Sequence, residues 1–245
     1  MTHGGTDSRQ AAVQGAAQTG RDFTPDLHAE ALYLTQRAFR VSMNAMARPG
    51  LVGTIPPTPR PLLANPCLET LVHMLFDSSC GFCVAGTNGN GADGLAGADA
   101  LASMITTLTY ARRIAAHEAQ FLLLAKDAPE DTATALMTAL SGGTPRSPER
   151  GASVLIECAS LAQDTKTGDA GSVSRRKSAA RPPSHRFVVT GPGVQTHHFF
   201  RASSAFWCTA RAARGDEFPC GIDLLLIDEG GQLVGLPRTA RIEEV

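Results

Sequence analysis

The chain has 245 residues, 43% of them hydrophobic, with 22 basic and 23 acidic side chains and a formal charge of −1. That size supports one large core or two small ones, and the near-neutral balance excludes a global pull toward nucleic acid or an anionic membrane. One Trp and two Tyr leave little for stacking on bases, and no apolar run reaches the ~20 residues of a spanning helix.

Residues 1–27 are rich in Gly, Ala, Gln and Thr and read as a disordered tail. The start, Met1-Thr-His-Gly-Gly, has no basic stretch followed by an apolar one, so no secretory leader is expected and the protein is placed in the cytoplasm. A helix is predicted from His28 to Ala47, with Leu32, Phe39, Met43 and Met46 near one face. Arg48 complements its dipole and Pro49-Gly50 stops it. After a proline-rich connection, Asn65 is the expected N-cap of a second helix that opens at Pro66 and runs to about Phe76.

Phe82–Ala85 reads as a short buried strand, followed by a flexible glycine-rich loop from Gly86 to Gly97. A helix is expected over Asp99–Thr109, a strand over Gln120–Ala125 and a helix over Asp131–Leu140, closed by Ser141-Gly-Gly. Strands follow at Ser153–Ala159 and Phe187–Thr190, the latter leaving through the turn Gly191-Pro-Gly. Strands alternating with helices predict an α/β sheet with helices on its faces. Residues 163–185 break the pattern: polar, basic and low in complexity, they read as a disordered insert carrying Arg175-Arg-Lys. The rest, 28–245, is expected to form a single domain.

The end of the chain reads as a hairpin. Leu224–Ile227 is a run buried on both faces, Asp228-Glu-Gly-Gly-Gln is the turn, and Leu233–Leu236 returns until Pro237 ends the ladder. Asp223 and Arg238 flank it, and buried charges of this kind need a partner or a ligand.

Other motifs carry less. Gly89-x-Gly-x-x-Gly94 lies between a strand and a helix, as a dinucleotide fingerprint does, but it starts well after the strand, and Asp127 follows more than 30 residues on instead of ~20. Cys80-Gly-Phe-Cys83 has redox or metal spacing, yet it leads into a strand rather than opening a helix and lacks two further ligands. The six cysteines, at 67, 80, 83, 158, 208 and 220, read as buried, reduced residues. The adjacent His197 and His198 would face opposite sides of a strand. The 141–152 segment offers either an anion-binding nest with Arg146 or Arg150, or a helix end followed by turns, and the second is preferred. No metal site is assigned.

Four stretches in order resemble the PhnH family, a subunit of the bacterial carbon–phosphorus lyase system: Ala38-Phe-Arg-Val-Ser-Met-Asn-Ala-Met-Ala-Arg-Pro-Gly, Leu140-Ser-Gly-Gly-Thr with Pro148-Glu-Arg-Gly-Ala-Ser, Thr190-Gly-Pro-Gly, and Pro219-Cys-Gly-Ile-Asp-Leu with Leu236-Pro-Arg-Thr. The tail, the insert and Cys-x-x-Cys fall outside the family pattern. The resemblance implies a three-layer αβα fold with a mixed sheet, similar to pyridoxal-phosphate-dependent transferases but without the cofactor. The three lysines, Lys126, Lys166 and Lys177, offer no attractive Schiff-base candidate. The resemblance further implies a homodimer that joins G, I and J companion subunits, with no cofactor. It links the protein to synthesis of α-D-ribose 1-methylphosphonate 5-triphosphate from ATP and methylphosphonate, in an accessory or scaffolding role.

Arg48, Asp223, Arg238, Thr239 and Glu149 are the candidate ligand or interface residues, and no catalytic residue is assigned. Arginine forks suit phosphate or carboxylate. The competing reading of Arg48, Asp223 and Arg238 is an internal salt bridge between the helix end and the hairpin. A self-sufficient nucleotide-binding oxidoreductase or transferase, and a cysteine-based metal or redox protein, are the functional alternatives.

Overall fold

The computed structural model of the chain describes residues 27–87, 94–164 and 183–245. The expected tail, apart from Leu27, and the body of the expected insert lie outside them. The insert is shorter than the composition implied, because Gln163 belongs to a strand, Asp164 is buried and His185 opens the next strand.

Seven strands form the main sheet: β1 (Val52–Thr54), β2 (Gly81–Ala85), β3 (Arg112–Arg113), β4 (Phe121–Leu124), β7 (Ser153–Cys158), β11 (Asp223–Asp228) and β12 (Gln232–Leu236), in the spatial order β1-β12-β11-β7-β4-β2-β3. Strands β11, β7, β4, β2 and β3 are mutually parallel; β12 alone runs against them, and the edge strand β1, antiparallel to β12, runs in their direction. Pleating sends successive side chains to opposite faces. Val154 and Ile156 of β7, with Leu224 and Leu226 of β11, enter one core layer, while Leu155, Leu225 and Ile227 enter the other. The continuous apolar runs of the sequence are therefore strands covered on both sides.

Three helices cover one face: α1 (Leu27–Ala47), α2 (Pro66–Leu75) and α3 (Gly94–Thr109). The α2 cap is as expected, since the Asn65 side chain accepts from the backbone N–H groups of Cys67 and Leu68, both at 3.0 Å. Helix α3 starts five residues before the expected Asp99, because Gly94 and Gly97, weak helix formers, sit in its first turn.

Of the apolar stripe read from the sequence of α1, Met46 alone packs against the core. Leu32, Phe39 and Met43 are exposed, and Ala38, Ser42 and Ala45 are buried instead. The sheet beneath allows nothing larger: a Cβ on Gly235 would meet the Ala45 backbone at 2.6 Å.

The opposite face is covered by α4 (Glu130–Ala139), α5 (Phe206–Ala213) and a second, antiparallel sheet. That sheet has the order β13 (Arg241–Glu244), β9 (His185–Thr190), β10 (His198–Ala202) and β8 (Leu161–Gln163). Phe187, Phe200 and Trp207 lock it to α5, with ring centroids 4.6–6.2 Å apart. The expected helix-only outer layer is thus half β on this side. A two-stranded hairpin, β5 (Gly142–Thr144) and β6 (Ser147–Gly151), completes the structure. No helix of the described residues is long and apolar enough to cross a membrane.

Candidate functional site

The β11–β12 hairpin forms as its sequence predicts. Asp228 organises the turn: its Oδ1 accepts from Gln232 N at 2.9 Å, and Gly231 N donates to its carbonyl at 3.0 Å. Gly231 has φ +80, and a Cβ there would lie 2.5 Å from the Ile55 carbonyl.

At the other end of the hairpin, beside the amino ends of β7 and β11, Asp223 and Arg238 meet. Arg238 Nη2 lies 2.6 Å from Asp223 Oδ2 and Nε lies 3.2 Å from Oδ1, while the Arg238 backbone N–H donates to Oδ1 at 2.7 Å. Arg238 Nη1 also donates to the Pro148 carbonyl, which pins β6. The Asp223 carboxylate holds the guanidinium charge, and the Arg238 pKa is raised accordingly.

Two further arginines support this end. Arg211 is half-buried; its Nη1 donates to the Leu236 carbonyl at 3.3 Å and its Nη2 to those of Pro237 and Ala240, at 2.8 and 3.1 Å. Burial pushes its pKa down, but carbonyl acceptors stand in for lost water. Arg214 donates to the Met137, Thr138 and Leu140 carbonyls and to Asp216, whose Oδ2 lies 2.6 Å from Nε. It thereby satisfies the end of α4, the task expected of Ser141-Gly-Gly. The glycines instead enter β5, so neither reading of 141–152 describes the hairpin found there.

Beside these arginines lies a cavity of about 680 Å³, between α5 and the β12–β13 connection. Arg211, Arg238 and Arg241 line it against Asp216 and Glu243, with Thr239 and Cys220 in the wall and Phe218 at its side. Phe218 is 80% exposed and is not part of the core. Asp223 supports the wall through Arg238. Arg48 and Glu149 are not in the lining: Arg48 donates to Asn44 Oδ1 at 2.9 Å within its own helix end, and Glu149 is exposed on β6. The salt bridge is therefore internal to the hairpin and does not tie it to α1. Sequence reasoning missed Arg211, Asp216 and Arg241, which come from segments with no periodic signal.

The carboxyl ends of the parallel strands carry the opposite charge. Glu157 is buried, its Oε1 accepting from Asn65 Nδ2 at 3.0 Å and its Oε2 from Lys126 N at 3.2 Å. Lys126, the lysine of the described residues, ion-pairs with Glu229. The hydrogen bond to Glu229 raises its pKa. A smaller cavity of about 180 Å³ lies here, lined by Lys126, Glu130, Glu157, Ser203 and Ser204 among others.

The remaining motifs resolve structurally. Asp127 Oδ1 accepts from Thr87 N at 2.8 Å, so this carboxylate anchors the base of the glycine-rich loop. Residues 88–93 of that loop lie outside the described residues. Cys83 points into the layer of α4 and α5, while Cys80 packs in the layer of α1–α3, so the two thiols do not converge. Burial pushes Cys83 up to about 11. Among the described residues no group of three or more His, Cys, Asp or Glu is placed to hold a metal. His198 Nδ1 lies 2.7 Å from the Pro49 carbonyl.

The architecture is that of a mixed α/β protein with an arginine-lined cavity beside the amino ends of its central strands. The chain belongs to the PhnH family: the family model described as bacterial phosphonate metabolism protein (PhnH) matches residues 28–243. No curated protein matches the chain. Phosphonate metabolism is thus its biochemical setting.

Proposed function

We propose that this chain is a subunit of the carbon–phosphorus lyase core, acting in the cytoplasm with G-, I- and J-type partners. Together they make α-D-ribose 1-methylphosphonate 5-triphosphate from ATP and methylphosphonate. In that reaction the bond from ribose C1′ to adenine breaks and one to a phosphonate oxygen forms. This subunit, a homodimer, scaffolds the assembly and contributes an anion-holding surface, while the bond-making groups lie on a partner. In this reading its fold is a cofactor-free variant of the pyridoxal-phosphate-dependent transferase architecture.

The observation that carries the reading is the cavity in which Arg211, Arg238 and Arg241 outnumber Asp216 and Glu243. Arg238 is held by Asp223 and the Pro148 carbonyl, which leaves one N–H on each Nη for phosphate or phosphonate oxygens. Phe218 offers a ring face beside it. The alternative of a self-sufficient dinucleotide enzyme finds less support, because Asp127, the acidic residue it needs for a ribose, holds Thr87 instead.

The test is co-expression of the tagged chain with the three partner subunits, followed by size exclusion with mass detection and turnover of ATP with methylphosphonate. A stoichiometric assembly whose turnover falls in Arg241→Glu, with unchanged melting, supports the reading. A chain that ignores those partners overturns it. Arg238→Ala is the weaker probe, since Arg238 also supports the hairpin.

A further inference from the structure

The cavity at the amino end of the parallel strands is larger and more mixed in character than a small anion needs. Its volume of about 680 Å³ is that of a pocket enclosing a nucleotide-sized ligand. A single phosphate or phosphonate group would leave most of it to water.

Its charges are not balanced where they lie. Asp216 is neutralised from behind by Arg214, which reaches Oδ2 at 2.6 Å and Oδ1 at 3.3 Å. Arg238 is held by Asp223. Arg211 has carbonyl acceptors only, which leaves its Nε–H and one Nη1–H uncommitted. Arg241 has no ion pair among the described residues. A half-buried guanidinium that faces carbonyls alone lacks a counter-charge, and a ligand anion supplies one.

Two other side chains of the lining gain nothing from a bare anion. Glu243, on β13 and without an ion pair among the described residues, would repel a phosphate. Phe218, the aromatic side chain of the lining, has no donor to offer one. Both suit the remainder of a nucleotide, since a carboxylate accepts from sugar hydroxyls and a ring face stacks on a base.

We propose that this cavity is a nucleoside phosphate site. Arg211 and Arg241, with the free N–H groups of Arg238, hold the phosphates; Glu243 accepts from the sugar, and Phe218 stacks on the base. The inference rests on the anion-holding surface proposed above and names its ligand, the nucleotide rather than the phosphonate.

The test is calorimetric titration of the full chain with ATP, inorganic triphosphate and methylphosphonate in turn. The lining comes from one chain, so binding needs no partner subunit. ATP is expected to bind at least about tenfold more tightly than either of the others. Phe218→Ala, at an exposed position, should weaken ATP about tenfold, the worth of one base–aromatic stack, and leave triphosphate unchanged. Arg241→Glu should weaken both. Triphosphate or methylphosphonate binding as tightly as ATP overturns the nucleotide assignment and leaves the anion-holding surface standing. ATP binding that neither substitution alters overturns the cavity as its place. A chain that binds none of the three but assembles with the partner subunits overturns the assignment and leaves the subunit reading standing; one that neither binds nor assembles overturns both.

Discussion

The two ends of the parallel strands handle buried charge in opposite ways. At the amino end, arginines dominate and spread their donors over carbonyls: Arg211 reaches three, and Arg214 reaches three more plus a carboxylate. At the carboxyl end, Glu157 and Asp228 are buried and accept N–H bonds, and burial raises both pKa values above the ordinary range. Guanidinium stays charged in either setting, so the amino end keeps a permanent positive field, while the carboxyl end can discharge by taking up protons. The second makes stability sensitive to pH.

Substitutions can break or sharpen this contrast. The largest effect is expected from Arg214→Ala, whose side chain is only 5% exposed. Its loss strips the end of α4 and leaves Asp216 unpaired, for a cost on the order of 3–5 kcal/mol in denaturant unfolding. Arg238→Ala should cost less, about 2–3 kcal/mol, since the pair is reached by some water. Adding Asp223→Asn should recover part of that loss; a purely additive double variant would mean the two side chains do not interact.

At the acidic end the sign reverses with pH. Glu157 and Asp228 have folded-state pKa values raised above the ordinary 4.5 and 3.8. Between the unfolded and folded values the native state binds more protons, so its stability falls as pH rises through that window. Glu157→Gln should flatten this fall when unfolding is followed from pH 4 upward. A pH profile unchanged by the substitution would remove Glu157 as its source.

The smallest effect on stability belongs to Arg241→Ala. Arg241 is exposed, and its removal should shift unfolding by no more than ~0.5 kcal/mol. Binding of a triphosphate or methylphosphonate to the assembled complex should nevertheless weaken roughly tenfold, the worth of one charge-assisted hydrogen bond. If Arg241→Ala binds as wild type does, the anionic ligand lies elsewhere.

Much of the fold was legible because local rules and tertiary packing agree. Asn65-Pro66 opens α2, Pro49-Gly50 follows α1, and the turn at Asp228 folds the last hairpin. Strands β1, β8, β10 and β13 and helix α5 are too short, or too polar on one side, for periodicity to register. Of the proposed site residues, Asp223 and Arg238 stood out at the two ends of one hairpin, with a ligand or the end of α1 as the expected partner. Arg211, 27 residues before Arg238, carried no such signal.

The sequence by itself determined the local elements and the hairpin, since these depend on neighbours a few residues apart. Only the tertiary structure decided which face of α1 is buried and which arginines converge on the cavity. A helical wheel shows that α1 has a large-residue face and a small-residue face. It cannot show that Gly235, nearly two hundred residues away, brings a strand so close that only Ala38, Ser42 and Ala45 fit beneath the helix.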